Sequence, residues 1–464
     1  MARAEAPSLR DALANTSASG FFWDRTASAC NTDLRHGTSL GGRLAELSDR
    51  SVVLATESQL TTALALIELD GRARRIVILP PDVDAADLDA VLAPAEIDAA
   101  VVDDKTQQSP ALNLPVRVTC EPTVAAAEAC PPVDCRTQWL LLTSGTTGVP
   151  KLVMHDAAGL TAAVRARSVA DGAAVWGTFY DIRRYGGLQM YLRAVLGGAS
   201  LVLSSAGEPI ADHLDRLAQH GVTHLSGTPS QWRSALMNPT IRKITPRYVR
   251  LSGEIADQAI LDRLRATFPQ AAVGHAYAST EAGVAFDVND GLAGFPASYI
   301  GPIRDGVEMK VFSDSSLRIR SPRAASRYVG TEQTLADADG FVDTGDIVER
   351  RGDRYFFAGR KGGVINVGGL KVHPEEIEAV INQHPQVGMS RVWSKKNPIT
   401  GAIAVADVVL KSDPDGAGAQ QTMIRDDILK LCRETLPRHK VPAAISFVPA
   451  LGIGAAGKLA RRER

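Results

Sequence analysis

The sequence predicts the α/β fold class, with a large multilayered N-terminal domain followed by a small α+β C-terminal domain. The chain has 464 residues, more than one hydrophobic core usually organises, so at least two domains are expected. Short apolar runs alternate with amphipathic stretches over most of the chain, and this alternation is typical of α/β layers. The alternation ends near Arg360, and the second domain is predicted to begin there.

The large domain, residues 1–360, is predicted to contain buried strands separated by amphipathic helices. Helices are expected over residues 59–73 and 209–221, and Gly221 lies where a helix C-cap is favoured. The apolar runs that predict strands are residues 74–81, 99–104, 139–143, 200–205 and 248–253.

The small domain, residues 361–464, has about a hundred residues, which is an ordinary size for an independent domain. Its pattern predicts one helix, a pair of strands, a second helix from about Gln420 and a final strand. The corresponding stretches are residues 374–384, 387–393, 402–410, 420 onward and 444–449.

The composition argues against several classes of partner. The net charge is −1, which gives no reason to expect affinity for nucleic acid or for an anionic membrane. The N-terminus is charged where a signal peptide is apolar, and no apolar run approaches the roughly 20 residues of a membrane-spanning helix. The five cysteines form no zinc-binding pattern, so reduced structural thiols are expected. We therefore expect a cytoplasmic protein.

A polar loop interrupts the apolar residues near the middle of the large domain. TSGTTGVPK (residues 143–151) follows a predicted strand and contains glycines, hydroxyl side chains and a lysine. Glycines let backbone amides approach an anion, and hydroxyls and an ammonium suit a polyphosphate. The common P-loop pattern G-x-x-x-x-G-K-[ST] is absent, so this phosphate loop belongs to a different chemistry.

This loop resembles the [ST]-S-G-[ST]-T-G-x-P-K motif of the adenylate-forming superfamily. The superfamily includes acyl-CoA synthetases, adenylation domains of non-ribosomal peptide synthetases and firefly luciferases. The resemblance implies that the loop cradles the β- and γ-phosphates of ATP. The loop residues concerned are Thr143, Ser144, Gly145, Thr146, Thr147, Gly148 and Lys151.

Further motifs occur in the order that the superfamily shows. YASTEAG (residues 277–283) resembles Y-G-x-T-E, which implies that Tyr277 stacks on adenine, Thr280 contacts the α-phosphate and Glu281 helps to hold Mg²⁺. A carboxylate suits this role because Mg²⁺ prefers oxygen ligands and usually combines one or two carboxylates with substrate phosphates. By the same resemblance, Gly253 and Glu254 of LSGE line the adenine pocket.

The remaining motifs lie at the domain junction and near the C-terminus. Asp346 of DTGD is implied to accept hydrogen bonds from both ribose hydroxyls, and Arg360 to bind ribose or phosphate oxygens. Gly362 takes the place of the usual Asp or Lys at the hinge about which the small domain moves. Gly457 and Lys458 match the end of the terminal P-x-T-x-x-G-K motif, although its Pro and Thr are absent. Lys458 is the catalytic lysine by this resemblance.

The resemblance implies an enzyme that activates a small carboxylic acid with ATP and Mg²⁺ as an acyl-adenylate, releasing pyrophosphate. The acyl group would then pass to a thiol, most often that of coenzyme A. Alternatives are transfer to the phosphopantetheine of a carrier protein or to an amine, and activation of another acid such as nitrite. A non-catalytic nucleotide-binding relative is disfavoured because Lys151, Glu281, Asp346 and Lys458 are all present.

Two arginines lie where the superfamily usually borders its acyl pocket with a histidine. Arg183 and Arg184 occur in FYDIRRYGG (residues 179–187), which contains no histidine. One interpretation is that at least one arginine faces the pocket and selects an acid with a second polar or anionic group. The alternatives are solvent-facing side chains at the start of a helix, or internal pairing with Asp181.

Overall fold

A computed structural model describes residues 7–16, 19–106, 114–127, 135–143, 150–165, 174–302, 304–412 and 418–461 of the chain. The described residues form a large α/β unit followed by a small α+β unit, so the predicted fold class is confirmed. Elements are numbered below in chain order.

The first sheet of the large unit is mixed and mostly parallel. Among the described residues it has eight strands, and only the edge strands β16 and β2 run antiparallel to their neighbours. In spatial order the strands are β16 (Gly283–Val288), β15 (Ala272–Ser279), β14 (Tyr248–Ser252), β13 (His224–Gly227), β11 (Val175–Thr178), β12 (Ser200–Val202), β1 (Phe21–Trp23) and β2 (Ser28–Cys30).

The second sheet is parallel at its centre and antiparallel at one side. In spatial order its strands are β21 (Arg327–Val329), β10 (Leu152–Asp156), β9 (Gln138–Leu142), β5 (Arg75–Ile78), β4 (Ser51–Ala55), β6 (Ala99–Val102) and β7 (Val116–Thr119). The strands predicted from apolar runs in the large domain all occur, as β5, β6, β9, β12 and β14. Four of them are one to four residues shorter than their runs, and β9 has the same length as its run but begins one residue earlier.

Helices of the large unit pack against both sheets. The helix α2 is buried along its whole length, because its residues share one hydrophobic core with Leu201 of the first sheet and Ile76 of the second. This burial explains why the α2 sequence is apolar on every side rather than on one stripe. The helices are α1 (Leu9–Ala14), α2 (Gln59–Leu69), α3 (Ala85–Leu92), α4 (Ala157–Arg165), α5 (Tyr185–Leu196), α6 (Ile210–Gln219), α7 (Pro229–Met237) and α8 (Gln258–Thr267).

A third, antiparallel sheet follows the first along the chain and ends at the domain junction. Its strands, in spatial order, are β17 (Phe295–Pro296), β23 (Arg354–Arg360), β22 (Val342–Arg351), β20 (Ser316–Arg320), β19 (Glu308–Val311) and β18 (Gly301–Pro302). The short strands β3 (Gly37–Thr38) and β8 (Ala125–Ala126) pair separately. A single 3-10 turn, Lys361–Gly363, comes directly after β23.

The small unit has its own hydrophobic core, built from apolar residues between Ile365 and Ile445. Its two sheets comprise the hairpin β24–β25 and a three-stranded sheet in the order β26–β27–β28. The elements are β24 (Ile365–Val367), β25 (Leu370–Val372), α9 (Pro374–Ile381), β26 (Val387–Asn397), β27 (Gly401–Leu410), α10 (Ala419–Thr435) and β28 (Ile445–Phe447). The predicted order of helix, two strands, helix and strand is confirmed.

Several parallel strands end at one edge of the first sheet, and the loops that follow them carry polar residues. Phe179 follows β11, Thr228 follows β13, Gly253 follows β14 and Thr280 follows β15. Ligand sites in open α/β sheets form outside the carboxyl ends of parallel strands. This edge is therefore the first place to look for a site. Of the described helices, none is long and apolar enough to cross a membrane.

The turn between β15 and β16 depends on Gly283, and we predict that Gly283→Ala destabilises the fold. Gly283 has φ +75°, and a Cβ there would lie 2.4 Å from the Arg323 carbonyl oxygen. Backbone strain and the clash together should cost about 2 kcal/mol or more, measured as a lower urea midpoint at unchanged slope. Gly41→Ala is the matched control, because Gly41 has φ +59° with open space around it. Equal losses of stability in the two variants would show that the clash with the Arg323 carbonyl oxygen does not contribute.

Candidate active site

Lys458 lies at the carboxyl edge of the first sheet, although it belongs to the C-terminal part of the chain. A short antiparallel bridge between Ile453 and Leu459 forms its loop, and Gly457 makes the turn with φ +74°. The Lys458 Cε atom is 3.6 Å from the position that a Cβ at Gly253 would occupy. The missing side chain at Gly253 thus leaves room for the lysine to enter the edge of the sheet.

The charges around Lys458 come from the large unit. Burial lowers the pKa of the Lys458 ammonium, and the Arg360 guanidinium lowers it further, while the carboxylates of Glu254, Asp346 and Glu281 raise it. No ion pair within 4.0 Å joins Lys458 to a carboxylate in the described part of the chain. The ammonium is therefore surrounded by compensating charge but is not committed to a protein partner.

Asp346 is held in place by two neighbouring side chains. The Tyr277 hydroxyl donates to its Oδ2 at 2.5 Å, and Arg360 Nε donates to its Oδ1 at 3.1 Å. The second contact follows from the sheet register, which places Asp346 opposite Arg360 on β22 and β23. Burial and the adjacent Asp346 carboxylate raise the pKa of Tyr277 well above its ordinary value, so the phenol stays protonated and can donate. The third sheet thus fixes an acceptor next to Lys458.

The ring of Tyr277 belongs to an aromatic row. It stacks with Phe357 at a centroid distance of 5.2 Å and with Phe286 at 5.7 Å, and the planes are within 17° of parallel. Such offset stacking stabilises aromatic pairs by about 0.5–1.5 kcal/mol beyond area burial. The row rigidifies the ring, and the predicted contact of Tyr277 with adenine stays a prediction.

Thr280 and Glu281 lie in the turn after β15. His155 Nε2 lies 2.8 Å from the Thr280 carbonyl oxygen, and burial lowers the pKa of His155 to about 4. A neutral imidazole therefore donates from Nε2 and braces the turn. The Glu281 main chain is also fixed, since its carbonyl oxygen accepts from Ala325 N at 2.9 Å. Its carboxylate has no hydrogen-bond or ion-pair partner among the residues that the structure describes.

The ends of the predicted phosphate loop are joined by main-chain contacts. Thr143 N donates to the Lys151 carbonyl oxygen at 2.9 Å, and Lys151 N lies 3.3 Å from Thr143 Oγ1. The exposed Lys151 ammonium contacts Gln333 Oε1 at 2.5 Å and lies 5.4 Å from the centre of the Tyr328 ring. Ser144, Gly145, Thr146, Thr147 and Gly148 lie outside the described residues.

Glu254 connects the two units through its carboxylate. Oε2 accepts from Ser230 N at 2.9 Å and Oε1 accepts from Leu459 N at 2.7 Å. Next to this contact, the buried Thr228 hydroxyl donates to the Gly457 carbonyl oxygen. Sequence reasoning placed Glu254 in the adenine pocket and missed Thr228. The pattern T-x-x-Q from Thr228 to Gln231 forms a capping box on α7 and was the available sequence signal.

Arg183 makes four side-chain hydrogen bonds, all of them to protein acceptors. Its guanidinium makes a bidentate pair with Asp181, at 2.8 and 2.6 Å, and donates to the carbonyl oxygens of Thr56 and Glu57. The side chain is 1% exposed. The sequence left three alternatives for this arginine, and the structure contains the one in which Arg183 pairs internally with Asp181. The Arg183 side chain does not face solvent.

Arg184 pairs with a different acidic residue. One of its nitrogens donates to both Asp82 carboxylate oxygens at 2.6 Å, and the two side chains are 19% and 39% exposed. Neither Arg183 nor Arg184 borders the large cavity described next. Their carboxylate partners do border it, so the cavity faces the anionic half of each pair.

A cavity of about 780 Å³ lies at the carboxyl ends of strands from both large sheets. Its wall includes the acidic residues Glu57, Asp82, Asp181 and Glu208, and no Lys or Arg among the described residues lines it. Ile453 and Ala455 of the lysine loop close one side. The volume is within the range of about 300–1,000 Å³ that is usual for small-molecule sites.

The predicted hinge lies on the surface. Gly362 belongs to the 3-10 turn Lys361–Gly363, and a Cβ built there would have no atom within 4 Å. Lys361, beside it, pairs with Asp314 at 2.9 Å and Asp343 at 3.1 Å. The position has the space that a change of backbone angles requires, and its role as a hinge stays a prediction.

The Arg183–Asp181 pair predicts a large effect on stability. Arg183→Met leaves the partly exposed Asp181 carboxylate and the Thr56 and Glu57 carbonyls without their donor, so the free energy of unfolding should fall by about 2–4 kcal/mol. Arg184→Met is the matched control, because its partly exposed pair should contribute only about 0–1 kcal/mol. Urea denaturation of both variants measures the difference. A loss below 1 kcal/mol in Arg183→Met would contradict the assignment.

The sequence of this chain is similar to family models and to individual proteins of known activity. The family model of AMP-binding enzymes matches residues 46–325, and that of the AMP-binding enzyme C-terminal domain matches residues 376–458. A 2-succinylbenzoate–CoA ligase of Geobacillus kaustophilus is 27% identical over 378 residues, which cover 74% of this chain and 73% of that protein. The 4-coumarate–CoA ligase 3 of Arabidopsis thaliana is 25% identical over 70% of this chain, and the match spans 62% of its own length.

The fold has relatives among solved structures. The anthranilate CoA ligase AuaEII in complex with anthranoyl-AMP superposes with a TM-score of 0.80 at 17% identity, covering 99% of this chain and 97% of that one. At this identity the similarity establishes the fold. The first family model alone covers more than half of the 464 residues, and the second covers the lysine-bearing unit. The chain therefore belongs to the family of AMP-binding enzymes.

Proposed function

We propose that this enzyme activates a carboxylic acid with ATP, forming an acyl-adenylate and pyrophosphate, and then transfers the acyl group to a thiol, that of coenzyme A. The observation that carries the proposal is the position of Lys458. Its side chain lies against Gly253, and its ammonium, which has no ion-pair partner among the described residues, experiences the charges of Glu254, Asp346, Glu281 and Arg360. That placement suits a cation that stabilises negative charge as it develops on the reacting oxygens.

The first step joins the acid to the α-phosphate. A carboxylate oxygen attacks the α-phosphorus, the new P–O bond forms, and the bond to pyrophosphate breaks. Lys458 is assigned to the oxygens of the acid and the α-phosphate, where charge develops in the transition state. Thr280 contacts the α-phosphate, while Lys151 and the loop that begins at Thr143 hold the β- and γ-phosphates.

The nucleoside is assigned to the surface between the first and third sheets. Asp346 would accept from the ribose hydroxyls, and Arg360 would bind ribose or phosphate oxygens. Tyr277 would contact adenine beside Gly253 and the backbone of Glu254. The contacts of Asp346 with Tyr277 and Arg360 support this assignment, because they fix the carboxylate before nucleotide binds. A preorganised acceptor costs little reorganisation on binding.

Mg²⁺ is the metal implied by this chemistry, and Glu281 is the residue that would hold it. The described residues contain no cluster of three or more His, Cys, Asp or Glu side chains suited to a metal. A single uncommitted carboxylate such as Glu281 nevertheless suits Mg²⁺ carried by substrate phosphates. When bound, the ion would supply charge neutralisation for the phosphate oxygens. The residues present therefore fit the ion as a partner of ATP.

The cavity is assigned to the organic part of the acid. Its wall carries carboxylates and apolar groups, and the cations that pair with Asp181 and Asp82 stand behind them. A second anionic group on the acid would meet these carboxylates without a cation. We therefore propose an acid with a single carboxylate and no second charged group. Arg183 and Arg184 are not retained as selectors of an anionic group.

The second step requires that Lys458 leave and an acceptor enter. The thiol sulfur attacks the acyl carbonyl, a thioester forms, and AMP leaves. Rotation of the small unit, residues 361–464, about Gly362 would expose the adenylate, and the open space around Gly362 supports this role.

The alternative functions are transfer to a carrier protein or an amine, and activation of another acid such as nitrite. A cytoplasmic location is supported by the free thiols of Cys30, Cys120, Cys135 and Cys432.

Pyrophosphate release tests the proposed function. Wild-type enzyme should release pyrophosphate with one or more neutral acids from a panel, and should form a thioester only when coenzyme A is added. Lys458→Ala should lower the rate of adenylation by about 10²- to 10³-fold, because one preorganised charge is lost. Product formation with an amine or a carrier protein, but not with coenzyme A, would select an alternative acceptor. No pyrophosphate with any acid would overturn the proposal.

The pH dependence of kcat/KM for adenylation provides a second test of Lys458. Burial and Arg360 favour the neutral amine, so the ammonium should be lost below the ordinary lysine pKa of about 10.4. Activity should therefore fall on the alkaline side with a midpoint below that value in the free enzyme. Lys458→Arg, which stays charged, should move this midpoint upward in whatever activity remains. An unchanged alkaline midpoint in Lys458→Arg would assign the titration to another group.

Asp346→Asn should weaken ATP binding. The amide retains the shape of the side chain but loses the charge and one of the two acceptor oxygens. The KM for ATP should rise roughly tenfold, while the KM for the acid changes little, because the lost contact exists in the ground state. Steady-state kinetics with each substrate varied separately measures both values. A change confined to the acid would show that Asp346 had been assigned to the wrong substrate.

A further inference from the structure

The segment Gly253–Asp257 contacts the small unit at two separate points. At one end, Glu254 Oε1 accepts from the main-chain Leu459 N at 2.7 Å, next to Lys458 in the chain. At the other end, Asp257 Oδ2 accepts from Asn382 Nδ2, at the end of α9, at 3.2 Å. Five consecutive residues of the large unit thus hold both the lysine loop and the body of the small unit.

Each carboxylate is also anchored within the large unit. Glu254 Oε2 accepts from Ser230 N in the first turn of α7. Asp257 caps α8 through Ile260 N and pairs with Arg233 of α7 at 2.5 Å. Both acceptors are therefore fixed whether or not the small unit is docked. A fixed acceptor loses little conformational freedom when the donor arrives, and a hydrogen bond to a charged group is stronger than one between neutral groups.

The geometry around Gly253 makes the docking selective for one orientation. Gly253 has φ +88°, and the Lys458 side chain passes over the space that its missing Cβ leaves. Gly457 has φ +74°, and a Cβ there would lie 2.5 Å from Gln231 Nε2. The two glycines therefore permit the lysine loop to approach the first sheet closely. The adjacent main-chain N–H of Leu459 then donates to the Glu254 carboxylate. A shift of the loop by one residue would move Lys458 out of the site.

We propose that Glu254 is the positioning residue for Lys458, and that together with Asp257 it forms a latch that holds the enzyme in its acid-activating orientation. The latch, defined as the contacts Glu254–Leu459 and Asp257–Asn382, must open before the acceptor can enter. It therefore acts on the first half-reaction and not on the second. The inference rests on the proposed function for its two half-reactions, but the latch itself is a structural contact that can be measured separately.

The test compares the two half-reactions in latch variants. Glu254→Ala and Asp257→Asn should each lower the rate of pyrophosphate release at least tenfold, with the KM for ATP changed less than threefold. In Asp257→Asn, conversion of synthetic acyl-adenylate and coenzyme A to thioester should stay within twofold of wild type, because Asp257 is not assigned to nucleotide binding. Asp257→Asn retains the cap of α8, because Asn is also a favoured N-cap, but it removes the charge that pairs with Arg233. Asn382→Ala leaves that pair intact, isolates the contact with Asp257, and should slow pyrophosphate release to the same extent.

Exchange of the two side chains supplies a rescue. In the double variant Asp257→Asn, Asn382→Asp the amide donates and the carboxylate accepts, so the contact is restored with the charge moved across the interface. Pyrophosphate release should return to within threefold of wild type. A structural defect in α8 or α9 would not be corrected by this exchange, and would slow both half-reactions together.

Hydrogen exchange of the main-chain amides measures the latch without catalysis. The Leu459 amide should be protected in wild type and exchange at least tenfold faster in Glu254→Ala, while amides of β14 stay protected. Failure of wild type to activate any acid, with the amide still protected, would reject the proposed function and leave the latch intact. An unprotected Leu459 amide, equal slowing of both half-reactions, or a raised KM for ATP at unchanged kcat in Glu254→Ala would overturn the latch.

Discussion

The carboxylate of Glu254 is the contact on which the geometry of the site depends. It accepts from a main-chain N–H of each unit, Ser230 on one side and Leu459 on the other. Main-chain partners leave little freedom, because an N–H cannot rotate away from its position in the fold as a side chain does. These contacts fix the Lys458 backbone relative to α7, and within the described residues the Lys458 ammonium has no ion-pair partner.

The absence of a direct partner for that ammonium, within the described residues, has a consequence for catalysis. A lysine that is paired in the resting enzyme must break the pair before it can contact substrate. Here Glu254 is engaged by main-chain N–H groups, and Asp346 by Tyr277 and Arg360. The nearby carboxylates favour the charged form of Lys458 without occupying it. They therefore offset part of the cost of burying the charge before ATP arrives, while burial still keeps the pKa of Lys458 below its ordinary value.

The fold was predictable from the sequence to a large extent, because strand and helix patterns are local. Runs such as residues 248–253 carried enough apolar residues to identify a buried strand, and β14 is found there as Tyr248–Ser252. Boundaries were less certain, since the run of residues 59–73 continues past the end of α2 at Leu69. There the helix stops at Asp70, whose buried carboxylate accepts from Leu9 N and Trp139 Nε1. Such distant partners are invisible in a local pattern.

The site was predictable only as a set of motifs. Thr280 and Glu281 are neighbours in the sequence, so their proximity was predictable, and the resemblance to the superfamily identified the remaining motifs. Neither observation could predict which side chains are in contact. The role of Glu254 as an acceptor for Leu459 joins residues 205 positions apart. Thr228 was missed for the same reason, because its contact with Gly457 crosses from one unit to the other.

The two arginines show how physical chemistry limits what a motif position can mean. A buried guanidinium needs acceptors for its N–H donors, and Asp181, Thr56 and Glu57 accept from four of the five donors of Arg183. Once those donors are used, the positive charge is neutralised and the cavity meets only the outer face of Asp181. The position at which the motif suggested a pocket residue is thus a structural ion pair. In the proposed assignment of the cavity to the acid, selectivity arises from the shape of the cavity and from its carboxylates, because Arg183 and Arg184 do not line it.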